Sequence, residues 1–124
     1  MSHVIGTVTL GSPTGLTTVV LGFQPIACRL TVSSKGGEVY AHMSIGAADA
    51  ANTAVFNSII QDTTGGKSTQ GAATQGRVVS LYERVSGTLT EVLGVNFDSF
   101  VSNGVRLNIV VPHSGYQVML EAWN

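Results

Sequence analysis

With 124 residues, 44% of them hydrophobic, the chain is long enough for one compact domain that buries roughly two-thirds of the surface its unfolded form exposes. Only 10% of residues are charged and the net charge is -1, which leaves no electrostatic footprint for a phosphate backbone and excludes nucleic acid as a partner class. No apolar run approaches the ~20 residues of a membrane helix, and Met1-Ser2-His3-Val4 lacks the basic start and apolar stretch of a signal peptide, so the reading is a chain made in a cytoplasm, with no membrane partner.

Strand-like runs recur about every ten residues, separated by Gly, Pro, Ser and Asn. That spacing predicts an all-β fold: a single domain over 1–124, an antiparallel β-sandwich, jelly-roll-like, of about 8–10 strands. Leu21-Gly22-Phe23-Gln24-Pro25 comes first, an apolar run closing on a tight turn. Cys28, Leu30 and Val32 then alternate with Arg29, Thr31 and Ser33, the two-residue period of a half-buried strand. Cys28 is the only cysteine, so an intrachain disulfide and a four-cysteine zinc site are both impossible, and it reads as a buried structural thiol. Lys35-Gly36-Gly37 is a hairpin signal.

Val39, Ala41, Met43 and Ile45 alternate with Glu38, Tyr40, His42 and Ser44, which assigns the first set to the core and the second to a solvated strand face. Between Asn52 and Asp62, Val55 and Ile59, and Phe56 and Ile60, stand four apart and would fit a helix, but the β-branched content favours a strand. Thr63 to Gly76 holds four glycines and Lys67 as its single charge, the composition of a long exposed loop that could order against a neighbour. Ser86-Gly87 and Ser102-Asn103-Gly104 supply turn residues that tolerate positive φ. Between them, Asn96-Phe97-Asp98-Ser99-Phe100 reads as a sheet corner, with Asp98 capping nearby backbone N–H groups from a turn. Phe23, Pro25, Phe97 and Phe100 read as scaffold residues.

Val105, Leu107 and Ile109 face one way and Arg106 and Asn108 the other. The last run sets Tyr116, Val118, Leu120 and Ala122 against Gln117, Met119, Glu121 and Trp123. Trp123 therefore falls on the less buried face, an unusual place to leave so large an apolar ring in water unless it meets a partner.

No set of residues meets the spacing that catalysis or ligation needs. Gly65-Gly66-Lys67-Ser68 resembles the tail of a phosphate-binding loop, but Gln61 stands where its first glycine belongs and no helix pattern follows. His3, His42 and His113 are far apart, the acidic residues lack calcium-loop spacing, and no serine sits in a Gly-x-Ser-x-Gly elbow. The reading is a protein that is not an enzyme, with no catalytic residue, no metal and no cofactor.

The order of segments resembles a family of small β-sandwich structural proteins of tailed bacteriophages. The matching pieces are Thr14-Gly15-Leu16 leading to Leu21-Gly22-Phe23-Gln24-Pro25, then Met43-Ser44-Ile45-Gly46, then Asn96-Phe97-Asp98-Ser99-Phe100 with Gly104-Val105-Arg106-Leu107-Asn108, and finally Tyr116-Gln117-Val118-Met119-Leu120. The resemblance implies a virion structural protein, either a decoration or cement protein on the capsid exterior or a part of the tail, with no catalytic residues to carry over. It implies as partners the major capsid protein or other virion proteins, and a homo-oligomer such as a trimer. The low charge and late tryptophan suit a protein that repeats on a surface.

Candidate contacts are Met1, His3, Val4 and Ile5 at the start, Gly66, Lys67 and Gln70 in the long loop, and Trp123 at the end. The alternative is a carbohydrate- or receptor-binding module of a tail tip or fibre, with Tyr40, His42 and Trp123 as the sugar-contacting groups.

Overall fold

A computed structural model describes residues 2–10, 13–33, 40–61, 76–85 and 88–124. Among them are nine strands: β1 (His3–Leu10), β2 (Gly15–Val20), β3 (Ala27–Ser33), β4 (Tyr40–Asp49), β5 (Thr53–Gln61), β6 (Arg77–Val85), β7 (Thr88–Val101), β8 (Gly104–Val111) and β9 (Tyr116–Trp123). They form two antiparallel sheets, one of five strands in the order β1-β9-β3-β4-β5 and one of four in the order β2-β8-β7-β6. The all-β sandwich expected from the sequence is the fold observed, and the segment that could have read as a helix supplies the strand Thr53–Gln61.

First and last strands pair, β1 with β9, and the second pairs with the next to last, β2 with β8, which is the wrapped nesting of a jelly roll. The remaining strands form two local meanders, β3-β4-β5 and β6-β7-β8. Inward-facing side chains alternate as the two-residue period demands: Cys28, Leu30 and Val32 on β3, Val105, Leu107 and Ile109 on β8, and Tyr116, Val118, Leu120 and Ala122 on β9 are all buried. Burial pushes the Cys28 thiol up to about 12, only partly opposed by a hydrogen bond with the Ala48 backbone, so it stays protonated and inert at neutral pH.

β4 runs against expectation. His42 and Ser44 are buried, at 3% and 0% exposure, while Met43 and Ile45 face solvent. The reason is what β4 packs against. β6 is the outer strand of its sheet, and its free backbone edge lies along the inner side of β4. The Ser80 N–H donates to Ser44 Oγ at 2.9 Å, the His42 Nδ1–H donates to the Tyr82 carbonyl, and Gly46 leaves room for the Val78 carbonyl, which a Cβ would overlap. An edge offers hydrogen-bonding groups, not apolar surface, so small and polar residues belong on this inner face and apolar ones are displaced outward. A register shift between Arg77 and Val79 accompanies the burial of both Val78 and Val79.

The Lys35-Gly36-Gly37 and Ser86-Gly87 turns lie outside the described residues, although the strands they join pair antiparallel as expected. At Ser102-Asn103-Gly104 the turn is present, but Gly104 serves close approach and not positive φ, since a Cβ there would overlap the Val19 carbonyl.

Candidate interaction surface

The outer face of the five-stranded sheet follows from the strand register, because directly opposed residues in antiparallel strands share a face. One row across it reads Thr7, Met119, Thr31, Ile45, Phe56. The next reads Ile5, Glu121, Arg29, Ala47, Ala54, and Met43 stands on the far side of the first row. Of the eight large apolar side chains exposed among the described residues, this one face carries five: Ile5 (61%), Met43 (39%), Ile45 (36%), Phe56 (55%) and Met119 (42%). Grouping on that scale makes this face the candidate interaction surface of the described residues, where scattered exposed apolar residues would not.

Among the described residues, charge on this face lies toward the chain termini, in a cluster of Glu121, Arg29 and His3 with Asp49 at the end of β4. Glu121 accepts hydrogen bonds from the Arg29 guanidinium and from His3 Nε2, the latter at 3.1 Å, and these two partners, Arg29 foremost, hold its carboxyl below the ordinary range. Beside it, His3 and Trp123 meet edge to face with centroids 6.4 Å apart. Trp123 borders a depression of about 290 Å³ lined by Ala27, Ala47, Ala48, Ala54, Asp49 and Asn52. Pairing of β1 with β9 places His3 opposite Trp123 and so gathers both chain ends here, with Asn124 and Ser2 tied by backbone and side-chain hydrogen bonds.

A second concavity of about 560 Å³ lies at the same end of the sandwich, where two segments distant in sequence converge: Gln24, Pro25 and Ile26 form one wall, and Phe97, Asp98, Ser99 and Phe100 the other. The connection after β2 is pinned there, with Leu21 N–H and Gly22 N–H both donating to the Asn103 carbonyl. Phe97 and Phe100 stand three positions apart, yet their rings meet at 4.8 Å and both pack on the core. A register shift between Phe97 and Ser99 inserts Asp98 as an extra residue, which returns position 100 to the face of position 97. Asp98 is therefore a bulge residue near the end of β7, not a turn cap. Its carboxylate accepts from Arg106 Nε at 2.7 Å and from Ser99 Oγ at 2.8 Å, and these bonds, Arg106 first, lower its pKa.

Of the residues expected to make contacts, the structure brings together His3, Ile5 and Trp123 on one face, whereas Val4 turns inward against the core. Met1, Gly66, Lys67 and Gln70, with most of the Thr63–Gly76 loop, lie outside the described residues. The sugar site expected at Tyr40, His42 and Trp123 does not assemble: His42 points into the interior against β6, and Trp123 stands on the opposite side of the sheet. Tyr40 pairs with Gln61, and its side chain is not among those described. Sequence reasoning placed Met119 on the outer face but missed Met43, Ile45 and Phe56. Alternation with Ser44, Gly46 and Val55 carried the signal on β4 and β5, but only knowledge of the facing β6 edge tells which side is outside.

Among the described residues no three His, Cys, Asp or Glu side chains group as a metal site. No known protein family, curated protein or solved structure matches the chain.

Proposed function

We propose that this chain is a non-enzymatic structural protein of a tailed-phage virion, a decoration or cement subunit that packs against the capsid shell. The observation that carries this reading is the exposed apolar face of the five-stranded sheet, with Met43, Ile45, Phe56, Met119 and Ile5 on a stiff, hydrogen-bonded platform. The resemblance of the segment order to small phage β-sandwich proteins supports the virion context of this reading.

Five strands about 4.8 Å apart and about eight residues long span roughly 24 by 26 Å, a flat area of about 620 Å², somewhat below the ~800 Å² per partner of a standard interface. On the major capsid protein, Phe56, Ile45 and Met119 would lose their water and form the dry centre. The Glu121–Arg29–His3 cluster would lie toward the rim, where an ion pair sets orientation more than affinity. The sandwich then acts as a rigid block bridging capsomers, adding buried area the shell alone lacks.

Cryo-EM of purified virions is the test, with density for the chain expected on the head exterior; heads without it would end the capsid reading. Added back to stripped shells, purified chain should bind, and Ile45→Lys with Phe56→Lys should abolish binding while leaving the circular dichroism spectrum unchanged.

Glycan binding is the second reading, favoured by the half-buried Trp123 beside its depression. A glycan-array signal removed by Trp123→Ala would raise it above the capsid role.

A further inference from the structure

Among the described residues, β2 is the outermost strand of the four-stranded sheet and is hydrogen-bonded to β8 alone. A bare strand edge is a template for another strand, and monomers guard such edges with charges, proline, bulges or a covering element. This molecule guards β6 in that way, under His42, Ser44 and Gly46. Among the described residues, β2 carries neither charge, proline nor bulge. Its sequence GLTTVV holds no charge and no proline, and its register with β8 runs unbroken from Gly15 to Val20. Leu16 and Val20 are 61% and 68% exposed, the latter the highest value among the large apolar side chains described. Packing of β6 on β4 and β5 closes one side of the sandwich, and β2 stands at the edge of its sheet farthest from that closure.

We propose that two copies of the chain pair through β2, antiparallel, about a two-fold axis centred on Thr18. The register follows from the pleat. Opposed residues must share a face, so an outward-facing position can meet only another outward-facing position. Centring on Thr18 sets Leu16 of one copy against Val20 of the other, twice over, while Thr17 meets Val19 on the inner face. Centring on Thr17 would set Leu16 against Thr18 and leave Val20 beyond the overlap. The two exposed apolar residues are thus placed symmetrically about Thr18, and the strand is its own complement. That symmetry commits the edge to a second copy of this chain and not to a foreign strand. Two four-stranded sheets become one continuous sheet of eight. The two-fold pair proposed here differs from the trimer that the resemblance implies, because an edge strand is satisfied by one partner.

The pairing is independent of the virion role, and its test needs only the purified full chain. Light scattering should give the mass of two chains, and Leu16→Lys with Val20→Lys should give one chain with an unchanged circular dichroism spectrum. Mild oxidation of Thr18→Cys should produce a covalent dimer, since opposed Cα atoms about 4.5–5.5 Å apart fall within disulfide range. Val20→Cys should not cross-link with itself, because its copy lies four residues away along the strand, roughly 13 Å. Cys28 is buried and stays out of this chemistry. A mass of one chain or three, a dimer that survives the double lysine variant, or Val20→Cys cross-linking as readily as Thr18→Cys would overturn the proposal.

Discussion

Gly46 and Gly6 both sit in strands, yet the space around them differs completely. A Cβ on Gly46 would overlap the Val78 carbonyl, a backbone group held in its own sheet, whereas a Cβ on Gly6 would meet nothing within 4 Å. Gly46→Ala should therefore destabilise by about 3 kcal/mol, the upper end of overpacking costs, and Gly6→Ala should stabilise by about 0.5 kcal/mol through the lost flexibility of the unfolded chain. Urea denaturation of the two variants checks both signs at once. The surface carboxylates set the acid response. Glu121 and Asp98 have pKa values lowered by hydrogen bonds from Arg29 and Arg106, and Asp49 by the backbone N–H groups of Ala51 and Asn52. Groups that hold protons less tightly when folded stabilise the protein above the ordinary carboxylate range, and that contribution fades as pH falls through the lowered folded values. The denaturation midpoint should start to drop as pH falls below about 5 and go on dropping through the lowered folded values, and Glu121→Gln should flatten the drop.

At the level of elements, the contact between β4 and the edge of β6 decides how the two sheets close. Three positions two apart on β4, His42, Ser44 and Gly46, meet three positions two apart on β6, Tyr82, Ser80 and Val78, in antiparallel order. Side chains of one strand thus stand in for the neighbour that an edge strand lacks. Ser44→Ala would leave the buried Ser80 N–H without its acceptor, an expected loss of about 1–3 kcal/mol by thermal or chemical unfolding. On its other side β6 is braced by Arg77, which pairs with Glu91 at 3.0 Å and with Asn96 at 2.6 Å. Glu91 also accepts from Ser80 Oγ at 2.5 Å, and Gly94 leaves the space in which the Arg77–Glu91 pair lies.

For the whole molecule, the wrapped topology has a kinetic consequence. β1 cannot pair until β9 is made and placed, and the same holds for β2 and β8, so the ends of the chain must close very long loops before those contacts form. Refolding should accordingly take milliseconds to seconds, as in other all-β domains with non-local pairing, and stopped-flow fluorescence of Trp123 would report it. A microsecond phase carrying the full amplitude would contradict that expectation. The same wrapping gathers His3, Ile5 and Trp123 on one face, beside the apolar rows proposed to meet the capsid.

Strand positions, the sandwich class and most inner faces were legible in the sequence, because a pleated strand has a period of two whatever surrounds it. Cys28, Leu30 and Val32 on β3 and the alternation from Tyr116 to Trp123 needed only that period and the assumption of an apolar interior. On β4 the period was equally plain, but polarity pointed the wrong way: His42 and Ser44 are inside because β6 presents an edge there, and which strand edge faces which sheet is a long-range fact. Asp98 was misread for a related reason, since an extra residue in a ladder exists only relative to its partner, here β8. Alternation is a property of neighbouring residues and can be read from them. The choice of the buried side, the gathering of the two termini and the bare edge of β2 belong to pairings between strands far apart in the chain, and only the tertiary structure decides those.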